Sequence, residues 1–157
     1  MCAAELKPPA PLAWPSGHRT VFLAGSIEMG AAPEWQGAFG RAFADCDDLT
    51  LLNPRRDDWD SSWRQRMDDP RFRGQVEWEL EGQERADVIA MYFALETKAP
   101  ITLLELGLFA RSGKVVVGCP EGYWRLGNVE VVCQRYGVPL VGTLDALIER
   151  CRERVAG

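Results

Sequence analysis

Residues Thr20–Gly25 read TVFLAG, a short apolar run that ends on a glycine. Such a run suits a strand buried on both faces of a parallel sheet. Working outward, Leu49–Leu52, Val88–Phe93, Lys114–Gly118 (KVVVG) and Val138–Val141 have the same character. Helical stretches separate them. Pro33 opens one through Ala44, since proline is well placed in a first helical turn. Arg71–Arg85 forms a second. Thr102–Ser112 and Asn128–Tyr136 end at Gly113 and Gly137, the expected C-terminal stops. Leu144–Val155 closes the chain after the cap Thr143. Strand and helix alternate five times, which predicts an α/β fold: a flavodoxin-like, five-stranded parallel sheet of order 2-1-3-4-5 with helices on both faces. In such sheets ligands bind beyond the carboxyl ends of strands 1 and 3, where the winding reverses. The segments there are Gly25-Ser26-Ile27-Glu28 and Ala94–Gly107.

The remaining composition sets bounds. A chain of 157 residues with 46% hydrophobic residues is expected to form one domain over 19–157, preceded by a proline-rich arm over 1–18. That arm is extended and ordered only where something holds it down. It has no long apolar run, so neither a signal peptide nor a membrane span is expected. Five cysteines without a CxxC pair read as reduced thiols in a cytoplasmic protein, with neither a disulfide framework nor a metal site. The net charge of −5 argues against a nucleic-acid polymer as partner. The only histidine, His18, lies in the arm and reads as a surface residue, so no Ser/His/Asp or Cys/His set assembles around it. No GxGxxG or P-loop is present, and no cofactor is expected. Asp87 opens strand 3 at the end away from the pocket and reads as structural. The charged stretch Arg55–Pro70 is a long loop holding Trp59 and Trp63. These two, with Trp78 and Trp124, suit either base stacking or core and interface packing.

Two glutamates stand out. Thr102-Leu103-Leu104-Glu105 has the form of a capping box, which would make Glu105 a helix cap. The same first-turn position favours an ionised carboxylate, the form a nucleophile needs. Glu79 lies seven residues from both Phe72 and Ala86 and points with the apolar stripe Phe72, Val76 and Leu80. It is either half of an ion pair with an arginine or a desolvated carboxyl of raised pKa, suited to a general acid. One ionised and one protonatable carboxylate are what retaining glycosyl transfer requires.

Phe22–Ser26, Ala86-Asp87, Pro100–Gly107 (PITLLELG) and Cys119–Val129 (CPEGYWRLGNV) together resemble the nucleoside 2-deoxyribosyltransferase family, in its branch of small stand-alone proteins. The resemblance runs from about Thr20 to Leu140. It implies double displacement: Glu105 in the E-L-G motif forms a covalent 2-deoxyribosyl intermediate, which a second base then attacks. The family's proton-handling carboxylate falls on Glu79, where better-known members carry aspartate. Gly25 and Ser26 fall in the substrate loop. Asn128 matches an asparagine that reaches into a neighbouring subunit's site, which implies a homo-oligomer with shared sites. Ala99 stands where better-known members hold the sugar 5'-hydroxyl with aspartate, and Glu96 or Thr97 is the expected substitute. Val21 and Phe22 stand where a tyrosine orients the nucleophile. The expected substrates are a deoxynucleoside and a nucleobase. Hydrolysis of a nucleoside or its 5'-monophosphate, with Arg55, Arg56 or Arg125 reading a phosphate, is the second reading. A binding module without turnover is the third.

Overall fold

The computed structural model describes residues 3–58 and 60–157; Trp59, and Cys2 of the five cysteines, lie outside the described residues. The strands are β1 (Ala4–Leu6), β2 (Arg19–Gly25), β3 (Leu49–Leu52), β4 (Val88–Tyr92), β5 (Val115–Gly118) and β6 (Leu140–Val141). All pair in parallel, in the order β1-β3-β2-β4-β5-β6. The expected five-stranded sheet is therefore corrected to six strands. The added strand comes from the arm, whose Ala-Glu-Leu pairs with β3. Asn53 fixes it: its amide N–H donates to the Leu6 carbonyl at 2.9 Å and its Nδ2 to Glu5 Oε1 at 2.7 Å. Further along, Trp78 Nε1 donates to the Ala10 carbonyl and Arg85 Nη1 to that of Leu12, each at 2.8 Å, which seats the arm along the second helix.

The helices are α1 (Trp35–Ala42), α2 (Pro70–Arg85), α3 (Pro100–Phe109), α4 (Leu126–Tyr136) and α5 (Leu144–Ala156). Alternation along the strands sorts the core into two layers, because successive side chains point to opposite faces. Phe22, Ala24, Ile89, Met91, Val115 and Val117 form one layer with Trp78 of α2, Leu106 of α3 and Val129 of α4. Val21, Leu23, Val88, Ala90 and Val116 form the other, with Phe39 of α1 and Leu147 of α5. Each fully buried Phe or Leu contributes about 1.5–3 kcal/mol, so these layers carry the fold. At the amino-terminal end of the sheet, Asp87 Oδ2 accepts from Thr20 N at 2.8 Å and Thr20 Oγ1 at 3.1 Å, which locks β2 to β4. His18 is half-buried there, its Nδ1 3.0 Å from Thr50 Oγ1, rather than fully on the surface.

Four helix starts differ from the sequence reading: α2 and α4 begin earlier, at Pro70 and Leu126, and the starts of α1 and α3 differ through their caps. Glu34 caps α1 by accepting from Gly37 N at 2.8 Å, which leaves Pro33 outside the helix. α3 begins at Pro100, after Ala99 in the left-handed region (φ 47°), and no side chain caps it. Thr102 is thus inside the helix and buried, and the capping box is not formed. At the opposite end of the sheet from Asp87, Gly25 has φ 151°, and a Cβ there would run into the Tyr92 carbonyl oxygen and the Trp35 ring. Gly25→Ala is expected to cost ~3 kcal/mol, through backbone strain plus overpacking, and to appear as a lowered thermal midpoint.

Candidate active site

A cleft of 480 Å³ opens beyond the carboxyl ends of β2 and β4, within the size range of small-molecule sites. Gly25, Ser26 and Glu28 form its floor after β2; α2 supplies Phe72, Val76, Glu79 and Leu80; α3 supplies Thr102, Leu104 and Glu105; Trp63 closes one side. The stripe on α2 thus faces the cleft, while the helix turns Trp78, Gly82 and Gln83 to the core. Asp69 caps α2 by accepting from Arg71 N and Phe72 N, and Pro70 occupies the first turn. That start sets the phase of the helix and puts Glu79 on the cleft side.

The structure brings Glu79 and Glu105 together. Glu105 is 7% exposed and is the sixth residue of α3, beyond the first turn where the helix end would favour its charge. Burial pushes its pKa up to about 7, opposed by a hydrogen bond from Gln83 Nε2 to Glu105 Oε2. The expectation of a carboxylate held ionised by the helix end is corrected accordingly. Glu79 is pushed up to about 8, first by burial and then by the neighbouring Glu105 charge, against a hydrogen bond from Gln75 Nε2 at 3.4 Å. No arginine pairs with Glu79 among the described residues. Burial disfavours the charge on both carboxyls, and the Glu105 charge disfavours that on Glu79 further, so Glu79 is the member that keeps its proton more readily.

A stability consequence follows from the sign of these shifts. Between the ordinary carboxylate range and about pH 8, the folded chain retains protons that the unfolded chain has released. Stability therefore falls as pH rises across that window. Glu79→Gln removes a charge that the fold tolerates poorly, and it is expected to raise stability by about 3 kcal/mol at about pH 9, seen as a higher thermal midpoint, and hardly at all at about pH 5. Thermal denaturation of both proteins across that range measures it.

The other candidates occupy distinct places. Ser26 Oγ lies 2.6 Å from Thr97 Oγ1 and accepts from Ala94 N at 3.0 Å, and Thr97 Oγ1 donates to the Ala94 carbonyl at 2.9 Å. These two buried hydroxyls tie the loop after β2 to the loop after β4; Ser26 also borders the cleft, and Thr97 does not. Asn128 is exposed on the first turn of α4, beside Arg125 in a separate pocket on the α4 side of α3. Within one chain it is not brought to Glu105. Arg55 Nη2 donates to the carbonyls of Gly30 and Ala32, and its Nη1 to that of Pro33, which occupies its guanidinium with the backbone of the loop after β2. Arg125 stacks on the exposed Trp124 at 4.4 Å.

Glu28 lies in a segment the sequence already placed at the site, whereas Gln75 and Gln83 carry no mark of their own in the sequence reading. Glu28 (φ 50°) borders the cleft, and its Oε1 accepts from the N–H of Ala99, so two left-handed non-glycine residues are clamped to each other at the rim. Strain of this kind, about 1–3 kcal/mol per residue, gathers at functional sites. Gln75 and Gln83 are the amides that contact the acid pair. Each lies four residues from Glu79, on the same helical face, and that spacing was the available signal.

Taken together, the fold and the site define a doubly wound α/β protein with a coupled acid pair in a cleft at its topological switch point. The chain belongs to the family described as "Nucleoside 2-deoxyribosyltransferase like", which matches residues 18–123. That match covers Glu79 and Glu105 and stops before Asn128. A crystal structure described as a conserved protein from Enterococcus faecalis V583 is similar in fold, with a TM-score of 0.61 at 13% identity over 87% of this chain and 99% of that one. No curated protein matches the sequence.

Proposed function

We propose that this chain transfers a 2-deoxyribosyl group between nucleobases by double displacement. The observation that carries the reading is the placement of Glu79 and Glu105 on one cleft, a half-buried and a buried carboxyl both pushed above the ordinary carboxylate range, in a chain of this family. A Glu105 carboxylate oxygen attacks the anomeric carbon as the bond to the base nitrogen breaks; that bond's electrons leave with the base, and Glu79 gives the base its proton. The product is a glycosyl ester on Glu105. A second base attacks the same carbon, Glu79 takes back a proton from it, and Glu105 leaves as a carboxylate. Retention at the anomeric carbon is the expected outcome of the two displacements.

The charge of the cleft favours a nucleoside over its 5'-monophosphate. Among the described residues it is lined by three glutamates, Glu28, Glu79 and Glu105, and by no lysine or arginine. Arg55 is held by backbone carbonyls, and Arg125 lies in the other pocket. Ile101, Leu104 and Leu108 expose an apolar stripe on α3 beside the cleft mouth, which supports assembly of several copies, with Asn128 offered to a neighbour. No helix among the described residues is long and apolar enough to cross a membrane. Cys119, Cys133 and Cys151 are buried and unpaired, which supports placement in the reducing cytoplasm.

The test is incubation with 2'-deoxyadenosine and a free pyrimidine base, followed by chromatography. A new deoxynucleoside is the expected product. Free adenine alone would make the enzyme a hydrolase. Silence with nucleosides and with 5'-monophosphates would leave a binding module.

A further inference from the structure

We infer that Gln83 is a positioning residue that ranks the acid pair, holding Glu105 as the ionised member and leaving the proton on Glu79. Gln83 is 0% exposed, and its Nε2 makes two bonds: to the main-chain carbonyl of Glu79 at 3.1 Å and to Glu105 Oε2. The carbonyl can only accept, so the amide orientation is fixed. Flipping it would set Oε1 against that carbonyl. Gln83 therefore presents Glu105 with a donor and never with an acceptor, and a donor stabilises the carboxylate.

Glu79 has no equal support. Its donor, Gln75 Nε2, sits at 3.4 Å and is shared with the Pro54 carbonyl at 3.0 Å. Gln83 also leaves its own Oε1 buried without a partner among the described residues. A purely structural core amide would be expected to satisfy its acceptor, since leaving one unpaired costs about 1–3 kcal/mol. The bond to Glu105 is formed in spite of that cost.

The titratable groups on the elements packed around Glu105 do not perform this ranking. α3 carries no other titratable side chain. α2 contributes Glu79, and the loop after β2 contributes Glu28, both of the same sign as Glu105. Arg56 stops at Gln75 Oε1, 3.2 Å away. Lys114 is engaged by the Gln83 and Glu84 carbonyls, and Tyr123 by the Lys98 carbonyl. Cys119 and Cys133 lie in the core layer below α3 and α4 as thiols pushed well above neutral. The donor that acts on Glu105 is Gln83.

The inference rests on the reading of Glu105 as nucleophile only for its meaning in catalysis, so its test is run first without substrate. Glutamate side-chain carboxyls are labelled with carbon-13 and titrated by NMR in the unmodified protein and in Gln83→Met, which keeps length and volume. The Glu105 midpoint is expected to rise by about one unit in the variant, which is about a tenfold loss of ionised Glu105 on the acid side. The acid limb of kcat/KM is expected to move with it. In the unmodified protein, the Gln83 side-chain amide is expected to titrate with the Glu105 midpoint, an observation that needs no variant. An unmoved Glu105 midpoint in a folded Gln83→Met protein, or a Gln83 amide indifferent to Glu105, overturns the inference. A shifted midpoint in a protein that turns over no nucleoside would uphold the ranking and overturn the functional reading instead.

Discussion

Glu105→Ala is expected to lower base exchange by at least about a thousandfold, with kcat falling and KM for the deoxynucleoside little changed, because the nucleophile acts only in the transition state. The variant deletes the atom that bonds the anomeric carbon and leaves the rest of the cleft in place. Unfolding does not explain the loss in advance. Glu105 is the sixth residue of α3 and caps nothing, and its charge is one that burial disfavours. The variant should therefore be no less stable than the parent in alkaline buffer. Glu105→Gln keeps the shape and is expected to be almost as inactive, since a neutral amide is a poor nucleophile towards a sugar carbon. Near-parent exchange rates in either variant would remove Glu105 from the mechanism.

Glu79→Gln is expected to cost about a hundred- to ten-thousandfold in kcat, the range for loss of a general acid. Here the size of the loss depends on the substrate. A nucleobase that leaves easily as an anion needs little protonation, so the variant's deficit should shrink as the leaving base becomes more acidic. The pH dependence also changes. With the pair intact, kcat/KM is expected to be bell-shaped with its maximum between about pH 7 and about pH 8, because Glu105 must be ionised while Glu79 keeps its proton. The alkaline limb belongs to Glu79, and its disappearance in Glu79→Gln, with the acid limb retained, is the distinguishing result. A uniform loss across all leaving bases and all pH values would mean that Glu79 serves packing and not proton transfer.

The alternation of strand and helix is legible because the strands in the middle of the sheet are apolar runs, with β2, β3 and β5 ending at or near a glycine or a proline and β4 introduced by Asp87. The sixth strand is not. Ala4–Leu6 has no such run, and its pairing depends on Asn53, Trp78 and Arg85, which lie far along the chain. The start of α3 was misread for a related reason. Thr102 and Glu105 have the spacing of a capping box, but Pro100 begins the helix earlier, and the left-handed Ala99 before it is held by Glu28, 71 residues away. Glu79 was legible from its place within an apolar stripe, even though that stripe lines a cleft and not the core. Gln75 and Gln83 add neither to the apolar period nor to the charge pattern, so only their four-residue spacing from Glu79 marks them in the sequence. The family resemblance puts Gly25 in the substrate loop, and the groups that crowd it are the Tyr92 backbone and the Trp35 ring.

The most direct test of the central claim is to mix the enzyme briefly with a 2'-deoxynucleoside and no acceptor base, quench in acid, and map the modified peptide by mass spectrometry. The expected result is a mass gain of one 2-deoxyribosyl group on Glu105, absent from Glu105→Ala and discharged when a free base is added. An adduct on another carboxylate, or turnover by Glu105→Ala at the parent rate, would contradict it.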